Sequence, residues 1–263
     1  MVAAGTLVVS MASPSRRGAH YERWLTRYAQ RVEQPPVPAA TAVLLRDSPN
    51  GVETLLLRRN PDVPVMGGVW VFPGGRVDAV DRAAAGDPDD RYSAARFAAV
   101  REAEEEAGLQ VDPDSLVRFS HWTPPQDFDH QLTTWFFLAQ APPGNVKVDG
   151  SEITEYIWLT PAEAHRRHED SGGTWFLPPT WVTLHDLQEF ATVGDALAAA
   201  ERAEPRFFET RRTVSTGGEE VALWEGDAGF EAADPDVPGP RHRLRTTPGH
   251  SWRLERGGGD VNT

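Results

Sequence analysis

Three glutamates at helical spacing are the residues in this sequence best suited to chemistry. Glu102, Glu105 and Glu106 stand at positions i, i+3 and i+4 of the segment 101–109. Residues at those separations are neighbours on a helix surface, so the three carboxylates share one face. Hard oxygen ligands of this kind suit Mg²⁺ or Mn²⁺, which keep several waters and are completed by substrate phosphates. The pattern predicts a divalent-metal site, with an acidic, solvated helix face as the alternative.

The helix that carries these glutamates also needs an apolar face that packs on a core. Phe97, Val100, Ala103 and Ala107 fall on its other side at helical spacing. We therefore expect these four residues to form the buried stripe. Gly108 is placed to end the helix as its C-terminal cap.

Two short segments upstream are candidates for binding a substrate. Gly74 and Gly75 follow a strand-like run at 69–72, and glycines let the backbone approach a ligand and expose its amides. Arg58 and Arg59 close another strand-like run at 52–57. This pair is either a solvated strand end or the source of a guanidinium that binds a phosphate, and Arg58 is the candidate for that role.

The string from Arg101 to Leu109, preceded by Gly74-Gly75, resembles the Nudix box, the signature of hydrolases that cleave nucleoside diphosphates linked to another group. The family pattern is Gly, five residues, Glu, seven residues, then Arg-Glu-x-x-Glu-Glu-x-Gly, and its second half is matched without a gap. In the first half, Asp81 stands where the pattern has Glu, and nineteen residues separate it from Arg101, twelve more than in the pattern. Whether Asp81 replaces that glutamate in function is left open.

Most of the extra segment lies in residues 82–92, which are rich in Ala, Asp and Gly. We predict a polar loop there. Asp90 or Ser93 is available to cap the helix that follows.

The resemblance implies an α/β fold, a Nudix-type α/β/α sandwich with a mixed β-sheet and the box as a loop-helix-loop catalytic element. It implies that Glu102, Glu105 and Glu106 hold one or more Mg²⁺ ions, with Mn²⁺ as a substitute, where water attacks phosphorus. Glu105 and Arg101 are the expected catalytic residues. Glu105 is nominated as the general base, with an acid from the loop 122–130 as its competitor, and Arg101 orients a box glutamate through a salt bridge.

Other segments are similar to the coenzyme A diphosphatase branch of the family, particularly the acyl-CoA type with an enlarged box. They are residues 55–59, 68–75, 121–124, 177–181 and, more loosely, 241–243. This similarity implies a Mg²⁺-dependent hydrolase of a nucleoside diphosphate derivative, with coenzyme A or acyl-CoA as substrate. ADP-ribose and NADH are the alternative substrates. A non-catalytic module that senses a nucleotide metabolite is the alternative function.

A basic cluster at 241–245 stands out in an otherwise acidic chain. Arg243 is nominated from it to bind a substrate phosphate, either within one chain or across a homodimer. A solvated basic turn is the other reading of the same residues.

Composition limits the classes of partner. With 26 basic and 39 acidic residues the formal net charge is −13, which argues against a non-specific nucleic-acid or membrane surface. The expected partner is a small phosphate-bearing molecule. The sequence has no cysteine, which excludes disulfides and thiol catalysis and is compatible with a reducing cytosol. We expect a cytoplasmic location.

The length of the chain and the positions of its linker-like segments predict one main domain with an extension at each end. Residues 1–35 are assigned to an N-terminal extension and linker, 36–200 to the Nudix hydrolase domain, and 201–263 to a C-terminal extension with a flexible tail. Strands are predicted at 42–45, 52–57, 69–72, 116–119, 133–138 and 153–159. A capping box with proline at the first helical position starts a helix at Thr160.

Overall fold

The structure, a computed structural model, describes residues 36–64, 66–87, 90–128, 131–246 and 251–257. The chain divides into two compact units, residues 1–36 and 37–263, and the second is described below. The extension predicted for 1–35 and the end of the predicted tail, 258–263, lie outside the described residues. Within the described ranges, every helix is too short or too polar to cross a bilayer.

Groups of strands and groups of helices alternate as far as residue 202, and the elements after it are strands. The strands are β1 (Val37–Ser48), β2 (Gly51–Arg59), β3 (Trp70–Val71), β4 (Gly74–Arg76), β5 (Val117–Thr123), β6 (Leu132–Gln140), β7 (Ile153–Leu159), β8 (Arg206–Glu209), β9 (Arg211–Val214), β10 (Glu220–Leu223), β11 (Arg241–Arg245) and β12 (Arg253–Gly257). The helices are α1 (Ala79–Ala84), α2 (Arg91–Ala107), α3 (Pro161–Asp170), α4 (Pro178–Leu187) and α5 (Val193–Arg202). Each predicted strand overlaps an observed one, although the predictions at 69–72 and 116–119 extend beyond β3 and before β5.

The main sheet is mixed. Its order is β3-β2-β1-β6-β5-β8, with β4 paired to β1 and β7 paired to β2. The pairs β1–β6 and β5–β8 are parallel, and the other pairs of this sheet are antiparallel. A tight turn at Pro49 and Asn50 joins β1 to β2, with Ser48 opposite Gly51.

Helices cover both faces of this sheet, which confirms the predicted α/β/α sandwich. Val43 of β1 belongs to the core that Ala196 and Ala200 of α5 help to form. On the opposite face, Tyr92 of α2 contacts Phe137, which lies beside Ala42 in the register of β6 and β1. Since β1 is covered on both sides, its buried stretch runs without polar alternation from residue 39 to 45.

Helix α2 packs through alanines. Its buried residues other than Glu106 are Ala94, Ala95, Ala98, Ala99, Ala103 and Ala107. The predicted stripe was correct at Ala103 and Ala107, but Phe97 and Val100 are only partly buried. Alanine has little side-chain volume, so the alanine row lets the helix lie close to the strands, and the larger residues fall at the margin of the contact. Both predicted caps are confirmed: Asp90 accepts from the Ser93 N–H at 2.9 Å, and Gly108 has φ 66°.

The segment added to the box is not one polar loop, contrary to the prediction for 82–92. Helix α1 continues to Ala84 and α2 already begins at Arg91. The alanines at 83–85 have high helix propensity, which favours this continuation. The segment 82–92 is therefore helical at both of its ends.

Residues 206–257, which the sequence assigned to the C-terminal extension, contribute to both sheets. Strand β8 joins the main sheet beside β5, and β9 to β12 form a separate antiparallel sheet in the order β12-β11-β10-β9. The Trp122 ring of β5 is stacked on Phe208 of β8 with centroids 3.9 Å apart, and Trp224 meets Trp122 edge-on at 5.7 Å. Leu244 of β11 belongs to the same core. The second sheet is therefore packed on the main domain.

Candidate active site

Strand β4 links the box helix to the cleft through the hydrogen bond between Gly74 and Glu106. It pairs with the first half of β1, at Ala39 to Thr41, while β2 pairs with the second half. Glu106 of α2 is only 5% exposed, and its Oε2 accepts from the Gly74 N–H at 2.9 Å. The glutamate thus reaches a cleft past β4, although its helix packs on the other face of the sheet.

Gly74 and Gly75 lie in close contact with the carboxylates of Glu106 and Glu102. A Cβ on Gly75 would overlap the carboxylate of Glu102, and a Cβ on Gly74 would overlap the Ala40 carbonyl oxygen and Thr41. Only glycine allows both close approaches. Gly74 and Gly75 do line the cleft, as predicted. Their binding of a substrate stays a prediction, because the observed partner of the Gly74 amide is Glu106.

Arg101 is held by four groups at once. Its Nε and Nη2 donate to the two oxygens of Asp81 at 3.1 and 3.0 Å, and Nη2 also donates to the Arg76 carbonyl at 2.9 Å. Its Nη1 donates to Glu102 Oε1 and to Glu105 Oε2, each at 2.9 Å. The hydrogen bond to Asp81 is the largest cause of a raised pKa of Arg101. These contacts make Arg101 a positioning residue for two of the three glutamates.

The three glutamates differ in their surroundings. Burial raises the pKa of Glu106 to about 8, against the bond from Gly74, and the neighbouring charge of Glu102 acts in the same direction as burial. Burial also raises the pKa of Glu102, with Arg101 opposing and the charges of Glu105 and Glu152 adding to the rise. The Glu105 side chain is 58% exposed. Two of the carboxylates are therefore held close together where ionisation is costly.

The donor set fits Mg²⁺. No group of three or more His, Cys, Asp or Glu in the described part of the chain could hold a metal ion unaided. Mg²⁺ differs from metals that need a complete protein cage, because one or two carboxylates, several waters and substrate phosphates suffice for it. Buried Glu106 beside Glu102 provides such a pair, and a bound divalent cation would offset the cost of keeping these two buried carboxylates ionised. Glu105 lines the same cleft and could add a third oxygen ligand.

The cleft has a volume of about 1240 Å³. One part of its wall holds the box residues Arg101, Glu102, Glu105 and Glu106. Elsewhere the wall is largely apolar and aromatic. Its larger side chains there are Met66, Trp122, Phe128, Leu132, Phe136, Phe176, Leu177 and Trp252. The volume lies above the usual range for a small-molecule pocket, so the cleft has room for a ligand larger than a typical one.

Arg58 does not take the position predicted for it. Its guanidinium binds Glu155 on the neighbouring strand at 2.5 Å, and Arg59 lines the cleft instead. Successive side chains of a strand point to opposite faces, so the prediction was wrong by one residue. The Nη2 of Arg59 lies 3.9 Å from Glu152 Oε2, and its buried Nε has no hydrogen-bond partner among the described residues.

Arg243 is also not placed to bind a substrate, which corrects the prediction. It is 0% exposed, and its Nε and Nη2 donate to the two oxygens of Asp227 at 2.7 and 2.6 Å. Its Nη1 donates to the Pro235 carbonyl at 2.5 Å. A buried charge needs a partner, and Asp227, in the connection between β10 and β11, provides it. The guanidinium therefore has a structural role.

The sequence interpretation missed Glu152, which lines the cleft beside Arg59. The Asn60 N–H donates to the Glu152 carbonyl at 2.7 Å, where β2 ends and antiparallel β7 begins. Only this long-range pairing brings Glu152 near the box. The interpretation also missed Thr210, Arg212 and Trp252, which line the cleft from the C-terminal part of the chain.

We compared the chain with family models, with curated proteins and with solved structures. Residues 35–176 match the family model described as the NUDIX domain. No curated protein matches. A NUDIX hydrolase from Alicyclobacillus acidocaldarius is similar in structure, with TM-score 0.58 and 22% identity over 64% of this chain and 97% of that one.

Two further solved structures are similar at lower scores. An Ap4A hydrolase from C. elegans, solved as a binary complex, gives TM-score 0.41 and 22% identity over 59% of this chain and 96% of that one. The NUDIX domain of Shewanella oneidensis NrtR, complexed with ADP ribose, gives TM-score 0.41 and 15% identity over 62% and 94%.

Proposed function

The chain belongs to the Nudix family of hydrolases, and from that premise we propose that it is a Mg²⁺-dependent diphosphatase of a nucleoside diphosphate derivative. The observation that carries the proposal is the setting of Glu106. Its carboxylate is buried, fixed by the Gly74 amide and adjacent to Glu102 in the wall of the cleft. Burial raises the pKa of Glu106 to about 8, and carboxylates perturbed in this way cluster at functional sites.

Glu102 and Glu106 would hold the cation, with Glu105 as a further ligand. The bound ion would neutralise charge on the phosphate oxygens and lower the pKa of a water. Arg101 keeps Glu102 and Glu105 in place through its bonds to both. Arg59, on the cleft wall, is the cation that we assign to a substrate phosphate, because its planar fork suits bidentate binding.

The reaction is an attack by water on one phosphorus of the diphosphate. A new bond forms between the water oxygen and phosphorus, and the bond from that phosphorus to the bridging oxygen breaks. A carboxylate takes the water's proton, and the bridging oxygen leaves with the second phosphate. Glu105 is our assigned base because it is exposed to the cleft; Glu152, on the same wall, is the competing carboxylate.

Coenzyme A or acyl-CoA is the proposed substrate. Segments 121–124 and 177–181, which resemble the coenzyme A diphosphatase branch, both contribute to the cleft through Trp122, Thr123 and Leu177. The large volume of the cleft also suits a substrate with a long arm. Cleavage of coenzyme A would give phosphopantetheine and an adenosine bisphosphate.

A substrate panel at fixed Mg²⁺ tests the proposal. The pure protein is incubated with coenzyme A, an acyl-CoA, ADP-ribose and NADH, and the two monophosphate products are quantified by chromatography. We expect cleavage of coenzyme A or acyl-CoA to be fastest. Faster cleavage of ADP-ribose or NADH would show that one of these, and not coenzyme A or acyl-CoA, is the substrate. Tight binding without any cleavage would favour a sensor of nucleotide metabolites.

A further inference from the structure

The C-terminal part of the chain completes the wall of the cleft. Thr210, Arg212, Ala222, Thr246 and Trp252 line it, although the family model matches only residues 35–176. The second sheet is thus an addition to the Nudix domain that borders the same cavity as the box.

Trp122, which contacts Trp224 just after β10, lies at a distance from the glutamates. From β4, which binds Glu106, the sheet continues through β1 and β6 to β5, where Trp122 lines the cleft. Three strand spacings make about 14 Å. A diphosphate bound at the glutamates is too short to cover that distance, so a ligand that reaches Trp122 must have another group attached.

The chemistry of the wall also changes over that distance. Trp122, Phe136 and Phe176 line the cleft, and the rings of Phe176 and Trp252 both contact His168. Two charged side chains of the second sheet also line it: Arg212, which is paired with Asp127 at 2.6 Å, and Glu220. An apolar group would be transferred from water to aromatic surface there, which is favourable roughly in proportion to the area buried.

Trp252 is held against the domain by its own contacts. Its ring meets the edge of His168 at a centroid distance of 4.5 Å, and its Nε1 would lie 3.2 Å from a Cβ on Gly173, which also lines the cleft. Strand β12, which follows directly, is tied to α4 by the ion pair of Arg256 with buried Asp186. The indole is therefore a fixed part of the wall.

We propose that Trp252, presented by the C-terminal part of the chain, forms a subsite for an apolar acyl group that the substrate carries beyond its diphosphate. The inference rests on the proposed function and extends it, because it names the residue that makes the enzyme prefer an acylated substrate over the free thiol. Trp252 is a specificity-determining residue and takes no part in the hydrolysis step.

The test compares Trp252→Ala with two controls, Trp252→Phe and Leu254→Ala. Leu254 lies in the neighbouring strand and packs on the same core without lining the cleft. For each protein, kcat/KM is measured for octanoyl-CoA and for free coenzyme A, and Kd for both by calorimetry with Ca²⁺ in place of Mg²⁺. We expect the octanoyl-to-free ratio to fall about tenfold in Trp252→Ala and to be kept in both controls.

The outcomes separate this inference from the proposed function. A ratio that is unchanged in Trp252→Ala, or equal losses for both substrates, overturns the subsite while the diphosphatase stands. If the wild type cleaves neither compound but Trp252→Ala still lowers the ratio of affinities, the proposed function fails and the subsite stands. If neither compound binds to the wild type, both are overturned.

Discussion

The carboxylate of Asp81 lies 3.0 to 3.1 Å from the guanidinium of Arg101, although nineteen residues separate the two in the chain. Asp81 is 2% exposed and also accepts from the Asp78 N–H at 2.8 Å. Arg101 in turn binds Glu102 and Glu105. The aspartate in place of the first box glutamate thus supports the acidic face indirectly, and the inserted residues leave that arrangement intact.

Replacing Asp81 with Asn should lower both stability and turnover. The substitution removes the charge that balances Arg101 in a buried setting, which costs about 1–3 kcal/mol of the free energy of unfolding. Urea denaturation measures this cost, and the rate of diphosphate hydrolysis is measured in parallel. Asp114→Asn is the matched control, since its side chain is 91% exposed and pairs with Arg96 of the same helix; it should change stability by less than about 0.5 kcal/mol. Equal behaviour of the two variants would contradict the role of Asp81.

Arg59→Ala should raise KM for the diphosphate substrate, whereas Arg58→Ala should leave it unchanged. The first side chain lines the cleft and the second pairs with Glu155 away from it. Removal of a charge-assisted hydrogen bond to phosphate costs about 1.5–3 kcal/mol, which corresponds to a rise of roughly tenfold or more. Steady-state kinetics of both variants decide the matter. A higher KM in Arg58→Ala alone would return the phosphate contact to Arg58.

Arg243→Met should destabilise the protein without altering KM. It leaves Asp227 as a buried charge with its main partner removed, and breaking a buried pair in this way costs about 3–5 kcal/mol. Chemical denaturation gives the loss, and KM is measured under conditions where the variant is folded. Arg253→Ala, an exposed arginine of the same sheet, serves as the control. A stable Arg243→Met with a raised KM would show that the arginine binds substrate after all.

Acid should weaken the fold partly through His168. Burial lowers its pKa to about 4 from the ordinary 6.5, and its Nδ1 accepts from the Phe176 N–H at 3.2 Å. The unfolded chain therefore binds more protons between pH 6.5 and pH 4, so the stabilising contribution is complete above pH 6.5 and is lost as pH falls through that range. His168→Gln should reduce the dependence of unfolding free energy on pH there. Part will remain, because burial also lowers the pKa of His121 to about 3. An unchanged slope in the variant would refute the assignment.

Local sequence was sufficient where neighbours in the chain determine the structure. The cap at Asp90, the end of α2 at Gly108 and the common face of the three glutamates all depend on spacing within one helix. The tight turn before Gly51 likewise depends on adjacent residues.

Features that depend on distant pairing could not be predicted in the same way. Arg58 and Arg59 are the same residue type at adjacent positions, and only the pairing of β2 with β7 decides which of them faces the cleft. Glu152 comes beside Arg59 through the same pairing. The basic cluster around Arg243 gave no sign of Asp227, sixteen residues earlier, which pairs with Arg243 from the connection between β10 and β11.

The most direct measurement is the Mg²⁺-dependent turnover of Glu106→Gln beside that of Glu104→Gln. Glu104 is exposed on the same helix and accepts from Gln110, so its substitution should leave the rate unchanged. The Glu106→Gln side chain would keep an oxygen for the Gly74 amide and remove a charge from a buried site, so the variant should fold and melt no lower than wild type. Loss of an anionic metal ligand should cut its rate at least about a hundredfold. A folded Glu106→Gln that retains the wild-type rate would contradict the proposal that this carboxylate holds the catalytic cation.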